Sequence, residues 1–148
     1  MKQKQTTYSF PEGIPAFEDT KEMTLIERPD MLPLVILKHD DLTFVCVSFK
    51  AWSIDYDPEI LPADLKMLGV TSRQDVELYN LLTIGHSDIK DTTANLMAPI
   101  ALNPKNHVGK QVMCKGEFPV RFNIWSDMQY VLPMLLPIAF DVMEGNKP

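Results

Sequence analysis

Twelve prolines against six glycines is the feature that most narrows what this chain can become. Proline is about 8% of the residues, against a usual value near 5%. Inside a helix each one removes a hydrogen bond and clashes with the preceding turn, at about 3 kcal/mol. A bundle of long helices is therefore excluded, and short extended segments separated by turns are favoured. The 148 residues are 45% hydrophobic and 23% charged, the balance of a globular chain that folds as one domain over residues 1–148.

Charge and cysteine usage narrow the function. Asp and Glu outnumber Lys and Arg by 20 to 14, for a net charge of −6, and no two basic residues are adjacent. Sequence-nonspecific nucleic-acid binding needs a basic face that displaces counterions from phosphates, so no direct nucleic-acid contact is expected. An acidic chain is instead suited to a basic protein partner, because complementary charge speeds encounter. Cys46 and Cys114 stand far apart and form no CxxC pair, which reads as buried, reduced thiols in a cytoplasmic protein. The N-terminus has no apolar run of the signal-peptide kind. The most apolar window, Tyr130–Met143, is interrupted by Pro133, Pro137 and Asp141 and is too short to span a membrane.

Along the chain, Phe10–Phe17 opens with a turn in which Pro11 presets φ and Gly13 permits a positive φ. Leu34–Leu37 and Leu42–Phe49 flank Asp40-Asp41 as a hairpin. Leu61–Gly69 has proline near its start and glycine at its stop, the marks of a short helix. Thr71–Asp75 reads as a capped turn, and Val76–Ile84 as a half-buried strand. Thr92–Leu102 is expected as one extended segment, returning through a five-to-seven-residue loop to Lys110–Cys114. A further strand is expected at Val120–Trp125, then a short helix from the S-x-x-Q spacing at Ser126 to Leu132. Tyr130–Met143 reads either as a terminal strand closing the core or as a methionine-rich partner-binding strip. The fold class is mainly β: a small closed or pseudo-barrel of short strands with one or two short helices.

Candidate chemistry is sparse. His39-Asp40-Asp41 lacks the companion spacing of a metal site and reads as a solvated acidic turn. No G-x-S-x-G, GxGxxG or P-loop is present. The residues by themselves describe a non-enzymatic binding or scaffolding module, with a small β-barrel enzyme or ligand binder as the alternative.

Three segments carry a family resemblance. Thr93–Pro104 resembles the T-x-N-L-x-A-P-[IV]-x-[IL]-N signature of the FliW family of bacterial flagellar assembly factors. Gly109-Lys110-Gln111-Val112 is similar to the G-[KR]-Q-[VA] that follows it, and Phe10–Glu18 to the family's F-P-x-G-[IL]-P-G-F-E opening. The resemblance covers residues 10–114. It implies a β pseudo-barrel without enzymatic activity or cofactor that chaperones flagellin. It also implies antagonism of the RNA-binding translational regulator CsrA, which relieves repression of flagellin translation. The family pattern picks out Glu12, Phe17, Asn95, Asn103, Lys110 and Gln111 as partner-binding residues near turns, with Leu96, Ala98 and Ile100 in the core. The alternative role for Asn95 and Gln111 is to satisfy backbone groups within the barrel.

The chain departs from the family pattern in three ways. Ala16 replaces a usual glycine, which argues against a positive φ there. Only nine residues precede Phe10, so the first hairpin strand is expected to be shortened or missing. Residues 117–148 are expected to extend past the family's end, supplying core or edge pairing. The alternative for that extension is a surface for a changed partner or for self-association of an otherwise monomeric protein.

Overall fold

The computed structural model describes residues 3–52 and 54–135. Alternation of apolar and polar residues produces a run of antiparallel hairpins. β1 (Lys4–Ser9) pairs with β2 (Glu22–Glu27) from Lys4 opposite Glu27 to Ser9 opposite Glu22. β2 pairs with β3 (Leu34–His39), which pairs in turn with β4 (Leu42–Ser48) around Asp40-Asp41. Asp40 takes the left-handed backbone (φ +51°) that Asp tolerates in a tight turn. Helix α1 (Pro62–Met67) starts on its proline and is followed by Gly69 at φ +80°. The Ser72 hydroxyl caps a 3-10 turn, Arg73–Asp75, by accepting the Gln74 N–H.

β5 (Glu77–Thr83) carries the closure. It pairs with β7 (Ile100–Asn103) on one side, and on the other with β4, through Cys46–Leu81, Val47–Asn80 and Ser48–Tyr79. β7 forms a hairpin with β8 (Val108–Gln111), and β8 meets β1 in the barrel's parallel contact, Ser9 beside Val108. The strand order β4-β3-β2-β1-β8-β7-β5, returning to β4, is a closed barrel, and β6 (Thr93–Ala94) and β9 (Phe122–Asn123) extend from β5. Inward-facing Tyr8, Met23, Leu25, Leu37, Tyr79 and Leu102 fill the centre. Gly109 lets β8 approach closely, since a Cβ there would lie 2.6 Å from both the Leu102 side chain and the Phe10 ring.

Several expectations are corrected. The first strand is six residues long and paired with β2 along its whole length, because Tyr8 and Phe10 are buried in the barrel and anchor it. Ala16 does adopt a positive φ, +73°. Thr92–Leu102 is not one strand: it breaks between β6 and β7, where Asn95 bonds a turn rather than a ladder. The β7–β8 loop is the four residues 104–107, shorter than expected. Strand Val120–Trp125 shrinks to Phe122–Asn123. Ser126 lies within α2 (Trp125–Met128) and makes no cap; the Asn123 side chain accepts the Trp125 N–H instead. Leu132–Leu135 form a 3-10 turn, not a closing strand, with Leu132 and Leu135 fully buried against Ile124 and Met128. The rest of the Tyr130–Met143 strip lies outside the described residues.

Candidate protein-binding surface

Five of the six residues picked out by the family pattern act first on the chain's own backbone or charges. The Asn95 Oδ1 accepts the N–H groups of Met97 (3.0 Å) and Ala98 (2.9 Å), and its own N–H donates to the Leu81 carbonyl at 2.9 Å. The Gln111 amide donates to the Ala98 carbonyl at 2.9 Å from the opposite side. Asn95 and Gln111 thus meet around one turn. The Tyr56 hydroxyl joins them by donating to the Leu96 carbonyl at 2.6 Å and accepting from the Asn80 amide at 3.3 Å. Burial, outweighing the Asn80 bond, pushes the Tyr56 phenol well above its ordinary value. Asn80 also donates to the Asn95 carbonyl at 3.0 Å.

Asn103 stands at the other end of β7. Its amide donates to the Leu68 carbonyl at 2.8 Å, and its oxygen accepts the Lys105 N–H. Asn106 donates to the same Leu68 carbonyl at 3.2 Å, so two amides hold the end of α1 against the β7–β8 turn. Lys110 reaches Glu12 at 3.0 Å and Asp64 at 3.7 Å, tying β8 to the first loop and to α1. Tyr56 and Asn80 belong to no motif. Only their burial beside the Asn95 turn reveals their part, and sequence offers no local signal for it.

Phe17 differs from these, because its ring is half-buried and packs edge-on against Phe44 with centroids 5.8 Å apart. That contact joins the β1–β2 loop to the β3–β4 hairpin. Register puts both at one end of the barrel, since Ser9 faces Glu22 and His39 faces Leu42. Glu18, Asp19, Glu22, Asp40 and Asp41 are all exposed there, against Lys21 and Lys38. Five carboxylates beside two lysines around a pair of phenyl rings make an acidic end with an apolar centre. Glu12 and Phe17 share the first loop, yet Glu12 turns to Lys110 while Phe17 turns to Phe44. The six residues therefore occupy four places: the Asn95–Gln111 turn, the Asn103 end of β7, the Lys110–Glu12 pair and the Phe17–Phe44 contact.

Cys46 and Cys114 are both buried, and burial raises both thiols above their ordinary value. A buried, protonated thiol is a poor nucleophile. Among the described residues, no three His, Cys, Asp or Glu side chains are grouped to hold a metal ion, and no helix is long and apolar enough to cross a membrane.

Comparison with known proteins agrees with this barrel. A family model described as FliW protein matches residues 1–124. The flagellar assembly factor FliW of Leptospira biflexa is 35% identical over 124 residues, 81% of either chain. The protein of that name from Geobacillus kaustophilus is 37% identical over 107 residues, covering 70% of this chain and 73% of its own. The one from Alkaliphilus metalliredigens is 36% identical over 112 residues, covering 73% of this chain and 68% of its own. A crystal structure of the flagellar assembly factor FliW superposes with a TM-score of 0.69 at 31% identity, covering 80% of this chain and 84% of that one. With its barrel, its ordered motifs, the family model over residues 1–124 and its relatives in agreement, the chain belongs to the FliW family.

Proposed function

We propose that the chain is a cytoplasmic, non-enzymatic flagellar assembly factor that binds flagellin as a chaperone. When free of flagellin it binds the CsrA-type translational regulator and relieves its repression of flagellin translation. The observation that carries this reading is the acidic end, with Glu18, Asp19, Glu22, Asp40 and Asp41 exposed around Phe17 and Phe44. A regulator that binds RNA exposes basic surface. An acidic face with an aromatic centre is complementary to it, through steering at the rim and burial at the centre. Binding there opposes RNA binding through coupled equilibria.

Calorimetric titration with purified flagellin and the regulator from the same organism tests the proposal. Binding to each at micromolar or tighter affinity is expected, and the absence of heat with both overturns it. Replacing Asp40 and Asp41 by lysine is expected to slow association with the regulator by about tenfold at low salt, since rim charges act on the on-rate. An unchanged on-rate moves the interface away from this end.

A further inference from the structure

The strands of the barrel fall into two groups. β1 to β4 follow one another as antiparallel neighbours, and β5, β7 and β8 form a second antiparallel set. Two joints close these halves on each other. The β4–β5 joint has three residue pairs, and an apolar cluster backs it from outside, with Val45 and Val47 packed beside Ala94, Leu96 and Ile124. The β1–β8 joint has one pair, Ser9–Val108, where the Ser9 N–H donates to the His107 carbonyl at 2.8 Å. So short a ladder contributes little to closure, and side chains must hold the joint.

Three contacts do so, in the order a parallel joint requires. The Tyr8 and His107 rings lie 5.4 Å apart. Phe10 is fully buried and lies over Gly109, where a Cβ would stand 2.6 Å from the ring. Glu12 meets Lys110 at 3.0 Å. The Lys110 side chain is only 19% exposed and is also 3.7 Å from Asp64, so α1 holds it in place from the other side. Phe10 and Glu12 belong to the segment that resembles the family's opening, and Gly109 and Lys110 to the G-[KR]-Q-[VA] segment. Two motifs about 100 residues apart thus meet at the barrel's shortest joint.

We propose that Phe10, Glu12, Gly109 and Lys110 form a latch. The barrel opens at the β1–β8 joint and hinges on β4–β5, while each half keeps its own ladders. The five carboxylates of the acidic end and both phenyl rings lie on the β1–β4 half. Opening therefore leaves that end whole and carries the Asn95 and Asn103 turns away from it. The latch goes beyond the partners proposed above and does not depend on which of them binds.

Native-state hydrogen exchange on the full chain tests it, read amide by amide in denaturant below the unfolding transition. Neither flagellin nor the regulator is present, so failure here leaves the proposed function standing. The Ser9 amide crosses the latch, and the amides of the β3–β4 ladder are the reference. Ser9 is expected to exchange through an opening that denaturant promotes, with a slope smaller than that of global unfolding. Glu12→Gln removes the ion pair from the latch and leaves Lys110 to Asp64. It is expected to speed Ser9 exchange about two- to fivefold and to leave β3–β4 unchanged. Should that variant fail to fold, the unaltered chain is compared at low and high salt, where screening is expected to speed Ser9 relative to β3–β4. A rate independent of denaturant means that Ser9 frays alone, and a slope equal to the global one means that the barrel opens only by unfolding. Either result overturns the proposal, as does a variant or a salt change that leaves Ser9 unmoved or speeds all amides alike.

Discussion

Ala16 holds a φ of +73°, a conformation that costs an L-residue with a Cβ about 1–2 kcal/mol. Its N–H donates to the Glu18 carboxylate at 3.1 Å, and the Phe17 N–H to the Ile14 carbonyl at 2.7 Å, so the surrounding loop imposes the strain. Glycine relieves it but frees the unfolded chain by about 0.4–1 kcal/mol. The strain is the larger of the two. Ala16→Gly is therefore expected to stabilise the protein by up to about 1 kcal/mol, raising the melting temperature by about 2–4 °C. A thermal scan showing a lower melting temperature would place the strain elsewhere. At the same scale, the polar signature residues were legible as a motif but not as a role. Asn95 spends its oxygen on the N–H groups of Met97 and Ala98 in its own turn, while Gln111 and Asn103 spend their amides on the carbonyls of Ala98 and Leu68 in other turns. Which of them remain free for a partner depends on those turns, and no local pattern states it.

Among the elements, those with local causes were readable. The β3–β4 hairpin needs only its Asp40-Asp41 turn, and α1 needs only Pro62 and Gly69. Thr92–Leu102 was misread because Leu96 and Ile100 have the apolar character of a strand. The Asn95 side chain instead takes two N–H groups that a strand would give to a neighbour. The C-terminal strip was expected to contribute to the core, and the part of it that is described does so through a 3-10 turn. Leu132 and Leu135 are completely buried beside Ile124 and Met128. Truncating either to alanine is expected to cost about 2–5 kcal/mol. Deleting residues 130–148 removes both side chains and is expected to destroy the single cooperative unfolding transition. A truncated chain that melts like the full one would show that this turn is dispensable.

For the whole molecule, closure of the barrel depends on contacts at its seams, and one of them titrates. Burial alone would raise the Glu77 carboxyl, but hydrogen bonds from Tyr79 and Lys50 outweigh it and hold the group below its ordinary value of 4.5. A carboxylate whose folded value is depressed stabilises the fold above its unfolded value, and that contribution is lost as pH falls through the folded one. Glu77→Gln is expected to lower the melting temperature at pH 7 by a few degrees, equivalent to about 1 kcal/mol or less for a group one-third exposed. The gap is expected to shrink as pH falls below 4.5 and on through the folded value; thermal scans at a series of pH values from 7 downward read it, and a gap independent of pH would exclude the ionic origin. The acidic end arises at this scale too, because loops at 10–21 and 40–41 come together only through strand register and the Phe17–Phe44 contact. By itself the sequence determined the strand-rich class, the short helix, the tight turns and the family, since proline, glycine and apolar alternation act within a few residues. Only the tertiary structure decided which polar groups are consumed and which strands close the barrel. Hydrogen-bond satisfaction joins residues such as Asn103 and Leu68, 35 positions apart, or Tyr56 and Leu96, 40 apart. Barrel closure likewise joins residues far apart in sequence, as where Cys46 of β4 pairs with Leu81 of β5.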